Sequence, residues 1–217
     1  LEDFEAVRPS GLIAMSLDEG DTLNWAKHTN GDQQVILVTE NGQSIRFHEK
    51  TVRAMGRQAG GVNSIRLVGE DVVVGMDAVE EEDTNVLVIT RNGYGKRTPL
   101  EEYRTQGRYG QGIRTLSRNE KTGPVVSMHC INAKDDLLVI TSGNVILRTS
   151  LEQIREIGRN TGGVKVMDLS GNDVIVAVAV MDGVSEVISE NGAAPDGISE
   201  DGVTPDDVSS DESAAEG

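Results

Sequence analysis

Short, wholly apolar runs, each followed by an alternating segment, set the rhythm of the first 181 residues. VILVT from Val35, VLVIT from Val86 and LLVIT from Leu137 are too short for helices and read as strands buried on both faces. Asn41-Gly42 and Asn92-Gly93 follow the first two, and an inverted Gly143-Asn144 the third. Asn-Gly predicts a two-residue hairpin turn with positive φ at both positions. The returning strand alternates: Ile45 and Phe47 face one way, Ser44, Arg46 and His48 the other. A link, a glycine loop, a further strand (GVNSIRL from Gly61), a charged turn and a last apolar strand (DVVVGMDAV from Asp71) complete the unit. The pattern predicts four short strands per unit.

The unit repeats. Thr39, Thr90 and Thr141 are 51 residues apart, as are Gly56, Gly107 and Gly158, and Gly61, Gly112 and Gly163. A partial copy opens the chain: LEDF at Leu1 matches LEEY at Leu100 and LEQI at Leu151, and SGLIAMSL from Ser10 matches GGVNSIRL from Gly60. About three and a half repeats are therefore present: a partial blade over 1–34, then 35–85, 86–136 and 137–181. Units this small cannot bury their own faces and must stack. The expected fold is all-β and propeller-like, with four-stranded blades.

The glycine loop has the look of a phosphate cradle, but GRQAGG (56–61), GRYGQG (107–112) and GRNTGG (158–163) are one loop written three times. Its spacing reverses the dinucleotide fingerprint, and no Gly-Lys-Ser/Thr follows. Glycines at turn positions with positive φ explain it better.

Composition narrows the partners. Aromatics are 3% of the 217 residues, so the core must be aliphatic. The single Cys130 rules out an internal disulfide framework or a multi-cysteine zinc site, and fits a reduced, cytoplasmic chain. No apolar run approaches the ~18 residues of a membrane span, so no membrane partner is expected. The chain begins at Leu1 and reads as a fragment of something longer. Its net charge of −16 is uneven: eleven of the 36 acidic residues and none of the 20 basic ones lie from Asp182 onward. Residues 182–217 read as a disordered acidic tail.

Basic residues keep the period too. Arg46, Arg97 and Arg148 form one series at 51-residue spacing, Arg53, Arg104 and Arg155 a second, and Arg57, Arg108 and Arg159 a third. Lys96, Arg114 and Lys165 lie close to these series and join them as candidate DNA-binding residues. Pairing within a blade to Glu49, Glu101, Glu152 or Glu156 is the plain alternative, and exposed pairs of that kind contribute little. The functional alternative is a rim whose guanidinium forks meet phosphates. Duplex DNA suits such a path better than a single strand, which needs aromatic platforms. Trp25, Tyr94, Tyr103 and Tyr109 are few and scattered.

VTENGQSIRFHEKTVRAMGRQAGGV, TRNGYGKRTPLEEYRTQGRYGQGIRTL and GRNTGGVKVMDL resemble the C-terminal domain of the DNA gyrase A subunit, over about residues 1–181. The resemblance implies a β-pinwheel whose basic rim wraps duplex DNA and supports negative supercoiling by an ATP-dependent type II topoisomerase. It implies no cofactor on this chain, with ATP and Mg used elsewhere in the intact enzyme. It implies partnership with the gyrase B subunit, and with the rest of the gyrase A subunit, in an A2B2 assembly in the bacterial cytoplasm at the nucleoid. The family's loop Gln-Arg-Arg-Gly-Gly-Lys-Gly is matched in degenerate form by Gln106-Gly107-Arg108-Tyr109-Gly110-Gln111-Gly112. Gly107, Tyr109 and Gln111 depart from it, costing one Arg and the Lys; its place in the chain suggests a later blade, with the full loop upstream. Acidic tails modulate wrapping in some members, so the tail is a candidate competitor of DNA. None of the tyrosines takes the role of the active-site tyrosine.

Other chemistry is sparse. His28, His48 and His129 lack metal-ligand spacing, so no metal site is expected. Cys130 sits in the apolar pattern VVSMHCI, and Asp18-Glu19-Gly20-Asp21 is a turn without calcium-loop spacing. The competing readings are the related topoisomerase IV disc, or a protein-interaction propeller with no DNA role. No acid, base and nucleophile converge in sequence, so no catalytic residue is expected.

Overall fold

The computed structural model describes residues 9–181; residues 1–8 and the acidic stretch 182–217 lie outside it. Eleven strands follow one another: β1 (Gln34–Thr39), β2 (Gln43–His48), β3 (Val73–Val79), β4 (Asn85–Thr90), β5 (Tyr94–Pro99), β6 (Ile113–Arg114), β7 (Val125–Ile131), β8 (Asp136–Thr141), β9 (Ile146–Ser150), β10 (Val164–Lys165) and β11 (Ile175–Met181). They form three antiparallel sheets of order β3-β1-β2-β6, β10-β5-β4-β7 and β11-β8-β9.

The apolar runs of β4 and, from Ile36 on, of β1 are buried on both faces because these blades pack on two sides; the third run differs from the expectation, since in β8 Leu137, Val139 and Thr141 are buried but Leu138 and Ile140 only half-buried. Ile36 and Val38 of β1 meet Val86 and Val88 of β4 in one cluster, while Leu37 turns to Ile45, Phe47 and Ile65. Leu87 and Ile89, the other face of β4, meet Leu137 and Val139 of β8. β3 packs beside β7 and β7 beside β11, so the last strand of each unit lines a common inner side.

Two sequence expectations change. The strand after each glycine loop does not complete its own blade. Ile113–Arg114, in the second repeat, pairs with Gln43 and Ser44 of the first blade, and Val164–Lys165 pairs with Tyr94 and Gly95 of the second. In the first repeat the same segment forms no strand; only Ile65 makes a bridge, to Gly110. The hairpin turns also differ. Asn41 and Asn92 do not have positive φ; Gly42 (80°) and Gly93 (82°) do, and their amides donate to the carbonyls of Thr39 and Thr90. A turn ending on one left-handed residue suits these hairpins, so glycine matters and asparagine is not required to be left-handed.

The glycine loop acts as an elbow that delivers the exchanged strand. Gly112 has φ of 75°, and a Cβ there would overlap the Ser44 carbonyl on the preceding blade. Gly107, five residues earlier, has open space around it. Gly112→Ala should therefore cost at least about 2 kcal/mol, and Gly107→Ala no more than about 0.5 kcal/mol. Urea denaturation of the two variants, followed by circular dichroism, compares them directly.

Candidate nucleic-acid interface

The three arginine series have three different environments. Each returning strand enters a single 3-10 turn: Glu49–Thr51, Leu100–Glu102 or Leu151–Gln153. The second residue beyond each turn's last residue is Arg53, Arg104 or Arg155, and the residue between plugs inward. Tyr103 is 1% and Ile154 3% exposed, and Val52 is half-buried. Extended backbone points the next side chain away from such a plug. Arg53, Arg104 and Arg155 are accordingly exposed, and their side chains make no hydrogen bond or ion pair with the described residues, although the Arg155 carbonyl accepts from the Arg97 amide at 3.2 Å. The Tyr103 hydroxyl pairs with Thr115 Oγ1 at 2.6 Å, and burial pushes its pKa up to about 12, so it is a structural group.

The first series holds these plugs in place. Arg46 Nη1 donates to the carbonyls of Leu100 (2.8 Å) and Tyr103 (3.1 Å) on the next repeat. Arg97 Nε donates to the Ile154 carbonyl at 2.8 Å, the same contact one repeat later. Backbone bonds run alongside: the Gln106 amide donates to the Arg46 carbonyl and the Ile157 amide to the Arg97 carbonyl. Burial lowers the Arg46 pKa, with charge kept. Arg148 instead makes an ion pair with Asp136 within its own hairpin, at 2.5 Å. The plain alternative, pairing of this series with glutamates on the same blade, is not what the side chains do; Arg46 and Arg97 bind carbonyls across the blade boundary.

The third series reaches the other way. Arg108 donates to the carbonyls of Thr51 (3.1 Å) and Asn63 (2.9 Å) on the preceding repeat. Arg159 donates to the Arg114 carbonyl at 2.8 Å and lies 3.7 Å from the Glu102 carboxylate. Arg57 is half-buried. Within the degenerate loop, Gln106 is half-buried, Gly107 and Gln111 are exposed, and Tyr109 is exposed with φ of 63°. The Gly110 carbonyl accepts from the Arg66 amide, so the loop is stitched to the preceding repeat. The Arg114 side chain is exposed, and Lys165 pairs with Asp168 at 2.7 Å.

Lys96 is the clear correction. Its place beside Arg97 puts it among the expected DNA contacts, but it is fully buried. Its ammonium sits inside the third glycine loop and donates to the carbonyls of Gly158 (2.7 Å), Arg159 (2.6 Å) and Thr161 (3.3 Å) and to Thr161 Oγ1 (3.1 Å). Burial lowers its pKa to about 8. Arg66, Arg91, Arg118 and Lys121 are exposed basic residues that the periodic set omitted. They do not recur at 51 residues, so the repeat carried no signal for them. Among the described residues no group of three or more metal-ligating side chains is present.

The sequence matches the family model described as DNA gyrase C-terminal domain, beta-propeller, over residues 1–30, 33–80, 84–132 and 135–180. It is 40% identical over 179 residues to the DNA gyrase A subunit of Haloquadratum walsbyi, and 38% identical over 198 residues to that of Mycolicibacterium smegmatis. These alignments cover 82% and 89% of this chain but 21% and 23% of the relatives, so the chain spans about a fifth of their length. The fold superposes on a solved DNA gyrase A C-terminal domain with TM-score 0.73 at 27% identity, covering 79% of this chain and 58% of that one. A solved C-terminal domain of DNA topoisomerase IV gives TM-score 0.78 at 24% identity, covering 83% and 57%, a likeness of fold.

The Lys96 cage makes a pH prediction. A lysine whose folded pKa lies near 8, below its unfolded value of about 10.4, carries a desolvation cost at low pH that vanishes as it loses its proton. The unfolded chain binds more protons between those values, so stability should rise with pH from about 8 to about 10, at no more than about 1.4 kcal/mol per unit. Lys96→Met should remove that rise when both proteins are compared by urea midpoint across the range.

Proposed function

We propose that this chain, which belongs to the DNA gyrase C-terminal domain family of beta-propellers, binds and wraps duplex DNA without sequence specificity, as the C-terminal part of a DNA gyrase A subunit. The observation that carries the reading is the series Arg53, Arg104 and Arg155: one exposed guanidinium per repeat, each set on an inward plug. Guanidinium forks match phosphate oxygens, and contacts of this kind position a duplex without reading its bases. On this reading, stacked blades that repeat one geometry would present the three in sequence order along one surface. A rigid surface of this kind offsets the cost of bending duplex by adding contacts.

Chemistry on DNA then belongs to the rest of the intact enzyme. On this reading the chain supplies no catalytic residue; strand breakage, ATP and Mg belong to the B subunit, and to the remainder of the A subunit, of an A2B2 assembly. The compartment implied is the cytoplasm, at the nucleoid. The gyrase relatives favour gyrase over topoisomerase IV, whose resemblance at 24% identity is one of fold. The different environments of the arginines support a division by task. The second series is proposed as the phosphate contacts, and Arg46 and Arg97 as the groups that position it. Residues 182–217 are proposed as a separate acidic segment that competes for the same surface, at the high effective concentration of a tether.

Duplex affinity should fall steeply with salt, and replacing Arg53, Arg104 and Arg155 together with Ala should reduce the log–log salt slope by about 3. Arg148→Ala, at an arginine already paired with Asp136, should leave the slope nearly unchanged. Filter binding or anisotropy between ~50 and ~200 mM salt measures both. An unchanged slope in the triple variant would remove the series from the interface, and salt-insensitive binding would favour a protein partner instead. Ending the chain after Met181 should tighten low-salt duplex binding; equal affinity with and without the tail would end the competition model.

A further inference from the structure

Hairpins β1–β2, β4–β5 and β8–β9 turn in one way, yet only the first two carry a strand from the following repeat among the described residues. At the turn, the amides of Gly42, Gly93 and Asn144 donate to the carbonyls of Thr39, Thr90 and Thr141 at 2.9, 3.1 and 3.1 Å. Their φ angles are 80°, 82° and 62°. The next amides, of Gln43, Tyr94 and Val145, donate to the hydroxyls of the same threonines at 3.2, 3.2 and 3.3 Å. The backbones are equivalent, but the side chains at two of their positions are not.

The incoming strand docks on the left-handed residue of the turn. The amides of Thr115 and Leu116 donate to the Gly42 carbonyl at 2.8 and 3.3 Å, and those of Val166 and Met167 to the Gly93 carbonyl at 2.8 and 3.2 Å. The approach is so close that a Cβ on Gly42 would lie 2.7 Å from the Leu116 oxygen, and one on Gly93 2.5 Å from the Met167 oxygen. The third hairpin has Asn144 at this point, with its Cβ in that space. Two residues on, the strand crosses small side chains. Ser44 Oγ donates to the Ile113 carbonyl at 3.1 Å, and a Cβ on Gly95 would already be 3.0 Å from Val166 Cγ2. The third hairpin has Ile146 there, 63% exposed.

We infer that Asn144 and Ile146 are the specificity-determining residues that close the third hairpin to a strand from any neighbour, so that strand exchange along the array stops at β9. Two independent positions exclude the same docked strand, one at the turn and one beneath the crossing. A stacked array needs an atypical unit at its end, because an open β edge otherwise recruits further strands. The inference rests on blade geometry and is independent of the DNA reading.

Amide hydrogen exchange on the full chain, read residue by residue by NMR, tests it. The outward amides of β9 should exchange about tenfold or more faster than the corresponding amides of β2 and β5. Equal protection would mean that a strand is docked there, and would overturn the inference. Gly93→Asn moves the excluding residue into the second blade. It should strip protection from β10 and the outer edge of β5 by a similar factor while the β4–β7 ladder keeps its own. A β10 that stays protected shows that asparagine admits the strand, which also overturns it. If Gly93→Asn does not fold, Ser44→Ile puts the second excluding residue into the first blade, with β6 as the reporter, and is read by the same two outcomes.

Discussion

Every other feature of this chain depends on an exchange between neighbours: a 51-residue unit keeps three of its strands and passes the fourth backward. The exchanged piece is only two residues long, Ile113–Arg114 or Val164–Lys165, too little to hold by ladder bonds alone. It is held by an approach to the acceptor turn so close that only glycine fits, and by Leu116, which is 1% exposed and joins the cluster between the first two blades. The central run of β4 is buried on both faces for the same reason. A strand such as β4 has no solvent side because a neighbour covers each face.

This arrangement assigns the basic residues their places. Where a repeat docks on the one before, backbone carbonyls left without a ladder partner meet the boundary, and each needs a donor. Arg46, Arg97, Arg108, Arg159 and Lys96 supply donors there, across blade boundaries in both directions. Guanidinium suits the task because it offers several fixed donors and stays charged when half-buried. Only Arg53, Arg104 and Arg155, which follow the inward plugs, are left facing outward as a complete periodic series.

Much of the fold was legible in the sequence. Apolar runs, turn dipeptides and the repeat gave the strands, their pairing and the propeller-like class, because these are local patterns with a fixed period. The exchanged strand was not legible: VNSIR and GIRTL look alike wherever they dock, and the choice of blade is made by long-range contacts. The candidate site was half legible. Periodicity found nine arginines but could not separate those aimed at carbonyls from those aimed at solvent, since both tasks recur once per blade. Lys96 escaped for a related reason. It stands beside Arg97 in the sequence, but strand alternation sends it to the opposite face, into the loop of Gly158 to Thr161. Arg66, Arg91, Arg118 and Lys121 lay outside any periodic search.

The contact from Arg46 to the Tyr103 carbonyl, repeated from Arg97 to Ile154, has a metric consequence. The distance from one outward arginine to the next is measured by an interior arm that ties each plug to the blade before it. The pitch of the charged surface is thus set by contacts at the blade boundary and not by the outward arginines themselves. A duplex following that surface would take its curvature from the length of a half-buried side chain, and two relatives with identical outer arginines would bend it differently if their inner arms differed.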